Sequence, residues 1–247
     1  SGTGEKWVAF IAAGYDTNQD NIPVLNADTM GRGIYVVDIL TGEKIWRYTK
    51  DEDPSKMVYS IPSDISKLDV DGDGKIDRLY VGDTGGRIWR FNIGDVSSTG
   101  SWTGNIIFNA QGKIFYPPDV TFENDRGLGT YSMLFFGTGD RERPNSTSFV
   151  NTLYAIKDYD NDTSPPTPLP LAESNLVDVT LDTLQNASAL PAANTTDPNN
   201  LRTKRACYIK LNQSSGENPN PGEKCDGSPV VFAGVAYYST FPPTLIT

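Results

Sequence analysis

Residues 69–77 read Asp-Val-Asp-Gly-Asp-Gly-Lys-Ile-Asp, with acids at positions 1, 3, 5 and 9 and glycine at position 6. Carboxylates alternating along a tightly turning backbone make an oxygen cage for a hard cation. Ca²⁺ takes about 6–8 oxygen ligands at about 2.3–2.6 Å and tolerates irregular geometry; Mg²⁺ keeps its waters and Zn²⁺ favours nitrogen or sulfur. The spacing therefore predicts a Ca²⁺ site with the side chains of Asp69, Asp71, Asp73 and Asp77 as ligands, joined by the Lys75 carbonyl at the seventh position. Gly74 permits the sharp turn that aims these groups inward. Position 12, where a helix–loop–helix calcium motif places a bidentate Glu, is Tyr80. The run from Arg78 to Gly82 reads instead as a strand, so the cage is expected before or between strands. Two other acidic runs, Asp16 to Asp20 and Asp158 to Asp162, lack an acid at position 9 and read as solvated turns.

Other chemistries are limited by composition. The 247 residues contain no histidine, which removes His general bases, Ser-His-Asp and Cys-His arrangements and His-ligated metals. No catalytic residue is assigned. Gly137-Thr-Gly139 is too short for a phosphate loop, and Asp140 beside it would repel phosphate. The formal net charge is −10 with no basic cluster, which argues against nucleic acid or an anionic membrane as partner. No apolar run is long enough to span a bilayer. The two cysteines, Cys207 and Cys225, are 18 residues apart. That spacing suits neither a Cys₄ zinc site nor a redox Cys-x-x-Cys, and leaves a disulfide or two separate buried thiols. A bridge beside a calcium cage would point outside the cytoplasm. The opening Ser-Gly-Thr-Gly shows no signal peptide, and the chain is expected to be a piece of something longer.

The elements that must position the loop are strands. Gly42-Glu-Lys-Ile-Trp46-Arg-Tyr48 matches Gly85-Gly-Arg-Ile-Trp89-Arg-Phe91 with an offset of 43 residues, inside the range of about 40–50 residues typical of propeller blades. Ile34-Tyr-Val-Val37 is echoed by Leu153-Tyr-Ala-Ile156. Short apolar strands are predicted over 7–13, 33–39, 44–48, 78–82, 87–92, 104–109, 131–137, 151–156, 206–211, 229–233 and 235–240, with turn chemistry between them. Trp46 and Trp89 read as large residues filling the gap between packed sheets, with Arg47 and Arg90 alternating to the opposite face. Residues 158–205, rich in Pro, Asn and Thr, read as a long irregular connection with one short helix around 174–187. The fold class read from the residues is all-β, with a repeat of propeller-blade length.

This combination resembles the C-terminal β-propeller of the PilY family, type IV pilus-associated proteins also called PilC-type tip adhesins. The matching stretches are Gly33 to Trp46, Asp69 to Phe91, Phe136 to Arg141, and Ser228-Pro-Val-Val-Phe-Ala-Gly-Val-Ala-Tyr-Tyr-Ser-Thr-Phe241. The resemblance implies a modified β-propeller with an embedded nine-residue calcium loop and no enzyme activity; since the family domain is about twice this long, residues 1–247 would form part of one propeller domain, a partial propeller of three to four blades. It also implies export through the periplasm to the bacterial surface, pilus and minor pilin partners, and roles in assembly, retraction control and attachment to host or abiotic surfaces. A further N-terminal domain is expected. No Arg-Gly-Asp tripeptide occurs, so no receptor-binding residue is assigned. The strand motif ending at Trp46 also resembles repeats of pyrroloquinoline-quinone dehydrogenases, but those carry an adjacent Cys-Cys ring that is missing here. A surface ligand-binding propeller with a purely structural calcium is the other reading.

Overall fold

In a computed structural model, the structure describes residues 5–21, 27–125, 129–159, 169–181, 201, 204–211 and 220–243. The chain divides into two compact units, Ser1–Ile107 with Lys113–Pro117, and Phe108–Gly112 with Pro118–Thr247.

The first unit is built from two antiparallel sheets. One has the order β1 (Val8–Ala12), β2 (Gly33–Asp38), β3 (Lys44–Thr49). The other runs β4 (Ser66–Leu68), β5 (Arg78–Gly82), β6 (Arg87–Asn92), β7 (Thr103–Asn109). The sequence repeat is reproduced at the level of cross-strand pairs. Val36 faces Trp46 and Ile34 faces Tyr48, just as Val81 faces Trp89 and Leu79 faces Phe91. A register shift between Val36 and Val37 shows where the first copy absorbs an extra residue, and its hairpin turn is also the longer of the two. Asp38 and Asp83 hold corresponding positions. Each has a carboxylate oxygen that accepts two backbone N–H groups of its own turn, Leu40 and Thr41 in one case and Gly85 and Arg87 in the other.

Ile34, Met57, Ile61, Ile65, Leu79, Val81, Trp89 and Phe91 form the core of this unit, with Trp46, Tyr48 and Ile76 packed against it. The repeated aromatics meet between the two sheets. Ring centroids lie 6.1 Å apart for Trp46 and Phe91, 6.0 Å for Tyr48 and Trp89, and 5.4 Å for Tyr48 and Phe91. Such offset and edge contacts stabilise by about 0.5–1.5 kcal/mol each beyond their buried area. The expected packing role of both tryptophans holds.

The second unit centres on a five-stranded sheet of β8 (Asp119–Asp125), β9 (Gly129–Gly137), β10 (Thr152–Tyr159), β11 (Val177–Asp178) and β12 (Ala206–Lys210), in the order β11-β12-β10-β9-β8. Two small ribbons complete it: β13 (Lys224–Cys225) with β16 (Thr240–Phe241), and β14 (Val230–Phe232) with β15 (Val235–Tyr237). Phe108, Phe136 and Tyr154 are buried together in this unit, with centroid separations of 5.1–5.8 Å.

All eleven predicted strands are present, and three expectations need correction. The start of the predicted helix at 174–187 is a 3₁₀ turn, Glu173–Asn175, followed by β11, because Val177 and Asp178 pair with Cys207 and Tyr208 instead of coiling; residues 182–187 lie outside the described residues. The bridge between Cys207 and Cys225 is not formed. Cys207 is held on β12 opposite Ala155, while the buried Cys225 donates its S–H to the Gly227 carbonyl at 3.2 Å. Burial pushes the Cys225 thiol up to about 11, so it stays protonated near neutrality. Finally, Asp16 and Asp158, each 3% exposed, are buried residues and not parts of solvated turns. Asp160 and Asp162 lie outside the described residues. Among the described residues, no helix is long and apolar enough to cross a membrane.

Candidate metal centre

The acidic loop is the connection between β4 and β5, as the strand-like sequence after Asp77 predicts. Ser66, Lys67 and Leu68 pair with Tyr80, Leu79 and Arg78, so the loop leaves and re-enters one hairpin. Its C-terminal end is pinned. The Asp77 N–H donates to the Leu68 carbonyl at 3.0 Å, and the Ile93 N–H donates to the Asp77 carbonyl at 2.8 Å. Ile76 packs against the core, while residues 71–75 at the tip are exposed. The scaffold therefore fixes Asp77 firmly and leaves the tip to be shaped by its own hydrogen bonds.

Those bonds curl the tip inward. Asp69 accepts the N–H of Gly72 on Oδ1 at 2.7 Å and that of Gly74 on Oδ2 at 2.8 Å. Asp77 Oδ2 accepts the Val70 N–H at 2.7 Å, and Asp71 Oδ1 accepts the Asp73 N–H at 3.1 Å. Gly72 and Gly74 sit at φ of 79° and 86°, the left-handed region that glycine enters without penalty. Two such turns within three residues bring the start of the loop back over its end.

The result is a convergence of three carboxylates. Ligand oxygens of Asp69, Asp71 and Asp77 all lie within 4.8 Å of one another. None of these three shares an ion pair with a described residue. Asp71 Oδ2 and Asp77 Oδ1 accept no hydrogen bond among the described residues. Hard oxygen donors, three negative charges without a protein counter-charge and unspent lone pairs on one exposed face suit a hard divalent cation. The Asp73 carboxylate is not part of this group. The Lys75 ammonium lies 2.9 Å from Asp73 Oδ2 and 3.6 Å from Glu5 Oε1. Its hydrogen bond and charge hold the Asp73 carboxyl below the usual carboxylate range. Sequence spacing did not reveal the pins at Leu68 and Ile93, because their contribution is made by backbone groups, whose side-chain type carries no signal.

No family model matches the chain. Over 258 aligned positions, covering 96% of the chain, it is 25% identical to a type IV pilus biogenesis factor PilY1 homolog of Xylella fastidiosa. The chain spans 16% of that relative's length. Among solved structures, the Pseudomonas aeruginosa PilY1 C-terminal domain matches with a TM-score of 0.55 at 16% identity, over 89% of this chain and 52% of that one. The propeller-like all-β class read from the repeats agrees with that likeness. In sequence the chain is similar to a PilY1 homolog, and in fold it is similar to a PilY1 C-terminal domain.

Proposed function

We propose that this chain is part of a non-enzymatic type IV pilus biogenesis protein and adhesin, displayed at the bacterial surface after export through the periplasm. In this reading, Ca²⁺ held by the 69–77 loop regulates pilus extension, retraction and surface attachment. Its partners are pilus and minor pilin proteins and the host or abiotic surfaces that the pilus meets. The observation that carries the reading is the convergence of Asp69, Asp71 and Asp77 within 4.8 Å on a hairpin of a domain similar to PilY1.

The physics of a switch follows from that crowding. Two like charges about 4 Å apart repel by about 1–4 kcal/mol at the effective dielectrics of water and protein surfaces. The side chains relieve part of this by accepting backbone N–H groups, which is what curls the tip. Bound Ca²⁺ supplies the charge that offsets the rest, and it favours the curled arrangement because only that arrangement presents all three groups together. The pinned end at Asp77 and Ile93 couples the loop to β5 and β6, so ordering at the tip reaches the sheet.

The test is Asp77→Ala in the full-length protein of a piliated bacterium, with pilus display and twitching measured in calcium-replete and calcium-depleted media. The expected outcome is loss of the calcium dependence with export and folding retained. An unaltered calcium dependence would contradict the reading.

A further inference from the structure

The sheet β1-β2-β3 has two faces, and the core of the first unit uses one of them. Residues paired across strands share a face, so Phe10, Val36 and Trp46 point the same way as Ala12, Ile34 and Tyr48, toward that core. Ala9 with Val37, and Ile11 with Tyr35 and Arg47, point the other way. The Ile39 N–H donates to the Trp7 carbonyl at 3.1 Å, which extends the ladder by one pair and adds Trp7 and Ile39 to this outer face. Trp7, Ile11 and Ile39 are 77%, 46% and 56% exposed.

The internal repeat supplies the control. Tyr35 pairs with Arg47 across β2 and β3 just as Tyr80 pairs with Arg90 across β5 and β6. Tyr80 and Arg90 are 0% and 8% exposed, and Ile88, on the same face, is fully buried. Tyr35 and Arg47 are only half-buried, and Arg47 is held from the rim by Asp51 at 3.4 Å and Glu52 at 2.9 Å. A face built from the same pair of residues is thus covered in one sheet and open in the other. The open one is apolar along β1 and β2 and polar along β3, as an interface with an apolar centre and a polar rim requires.

Size and shape decide what covers it. Three strands about 4.8 Å apart, each of six residues rising about 3.4 Å, make a footprint of roughly 14 by 20 Å, on the order of 300 Å². That is well short of the roughly 800 Å² per partner that holds two separate proteins together, a second copy included. An occupant on the same polypeptide needs far less area, because tethering supplies an effective concentration of about millimolar. The surface is a regular sheet face, and the opposite face of the same three strands already packs on another sheet. This chain covers 52% of the solved PilY1 C-terminal domain, so the fold it resembles holds nearly as much chain again.

We infer that a further β-sheet of the same polypeptide, outside these 247 residues, packs on the outer face of β1-β2-β3 and seats on Trp7, Ile11, Tyr35 and Ile39. The inference rests on the fold and not on the calcium reading, and its test involves no calcium. Hydroxyl-radical footprinting read by mass spectrometry compares the 247-residue chain with the full-length protein. Trp7 and Ile39 should be oxidised freely in the first and about sevenfold or more slowly in the second, as their exposure falls to the 8% or less of the covered pair. Leu181, 64% exposed and outside this sheet, should react alike in both. In the full-length protein, Ile39→Asp should return Trp7 and Ile11 to the rates of the shorter chain, because a carboxylate is costly to bury without a partner. Equal oxidation of Trp7 and Ile39 in the two proteins would overturn the proposal. So would protection that appears in the shorter chain and rises with its concentration, which would make the occupant a second copy, or protection that survives Ile39→Asp in full.

Discussion

Two loops in the first unit begin alike and end as opposites. Asp16-Thr-Asn-Gln-Asp20 and Asp69-Val-Asp-Gly-Asp73 both alternate polar oxygens along the chain. In the first, no glycine intervenes and the backbone takes a 3₁₀ turn, Thr17–Asp20, capped by Asp16. The Asp16 carboxylate accepts the N–H groups of Asn18, Thr29 and Met30 and the Thr29 hydroxyl, and little of it is left for a ligand. In the second, Gly72 and Gly74 open the left-handed region, and the carboxylates meet one another with lone pairs to spare. An acidic loop is a structural clamp when its carboxylates are satisfied by backbone donors from elsewhere. It is a candidate cation site when they are satisfied only in part, and face each other.

Substitutions can break this contrast in both directions. The largest effect is expected on Ca²⁺ binding: Asp77→Asn should weaken it by about two orders of magnitude, within the wide span over which charge count tunes such loops. Asp16→Asn should leave it unchanged in the same titration calorimetry. On folding the order reverses. Asp16→Ala should cost about 2 kcal/mol in urea unfolding, because it strips a cap and leaves buried N–H groups unsatisfied, whereas Asp77→Asn should cost less. The Asp16 contribution also carries a pH signature. Burial pushes its carboxyl up, but the hydrogen bonds from Asn18, Met30 and Thr29 outweigh it and bring the value down from 3.8 to about 2. The folded value lies below the unfolded one, so the stabilisation is complete above about pH 4 and fades as pH falls toward 2. Wild type and Asp16→Asn should therefore converge in stability in acid.

Smaller effects sharpen the second loop. Gly74→Ala meets no atom within 4 Å, so steric clash plays no part. It must still hold a left-handed residue at a cost of about 1–2 kcal/mol, which predicts about tenfold weaker Ca²⁺ binding. Asp73→Asn should change affinity by only about twofold to threefold, since Lys75 already occupies that carboxylate and an exposed pair contributes little. A loss as large as that of Asp77→Asn would mean that Asp73 leaves Lys75 to join the cage.

The strands were legible where apolar residues alternate or run together, as in Arg78 to Gly82 and Ile34 to Val37. Those that escaped notice are short or polar. Ser66-Lys-Leu68 is a strand because β5 offers it a ladder, and Asp119 to Asp125 pairs with β9 despite three acids. Neither has an intrinsic preference strong enough to be read locally. The acidic loop was legible as a candidate cation site because its carboxylates and glycines lie within nine consecutive residues. That Asp73 would turn to Lys75 was not, since both outcomes use the same residues. The burial of Asp16 was hidden for another reason: Thr29 and Met30 lie 13 and 14 residues away and reach it only after the chain folds back.

A calcium ion held jointly by Asp69, Asp71 and Asp77, as proposed, would stabilise the folded chain over the unfolded one. Differential scanning calorimetry with Ca²⁺ at about 100 times its dissociation constant, against chelator, tests it directly. Ligand linkage at that ratio gives about 2.7 kcal/mol, or a rise in Tm of about 5–10 °C for a chain of this size. Wild type and Asp16→Asn should show that rise, and Asp77→Asn, half-filled at the same calcium concentration, should gain only about 0.4 kcal/mol or about 1 °C. A wild type whose Tm ignores calcium, or an Asp77→Asn variant that gains as much as wild type, would contradict the proposed site.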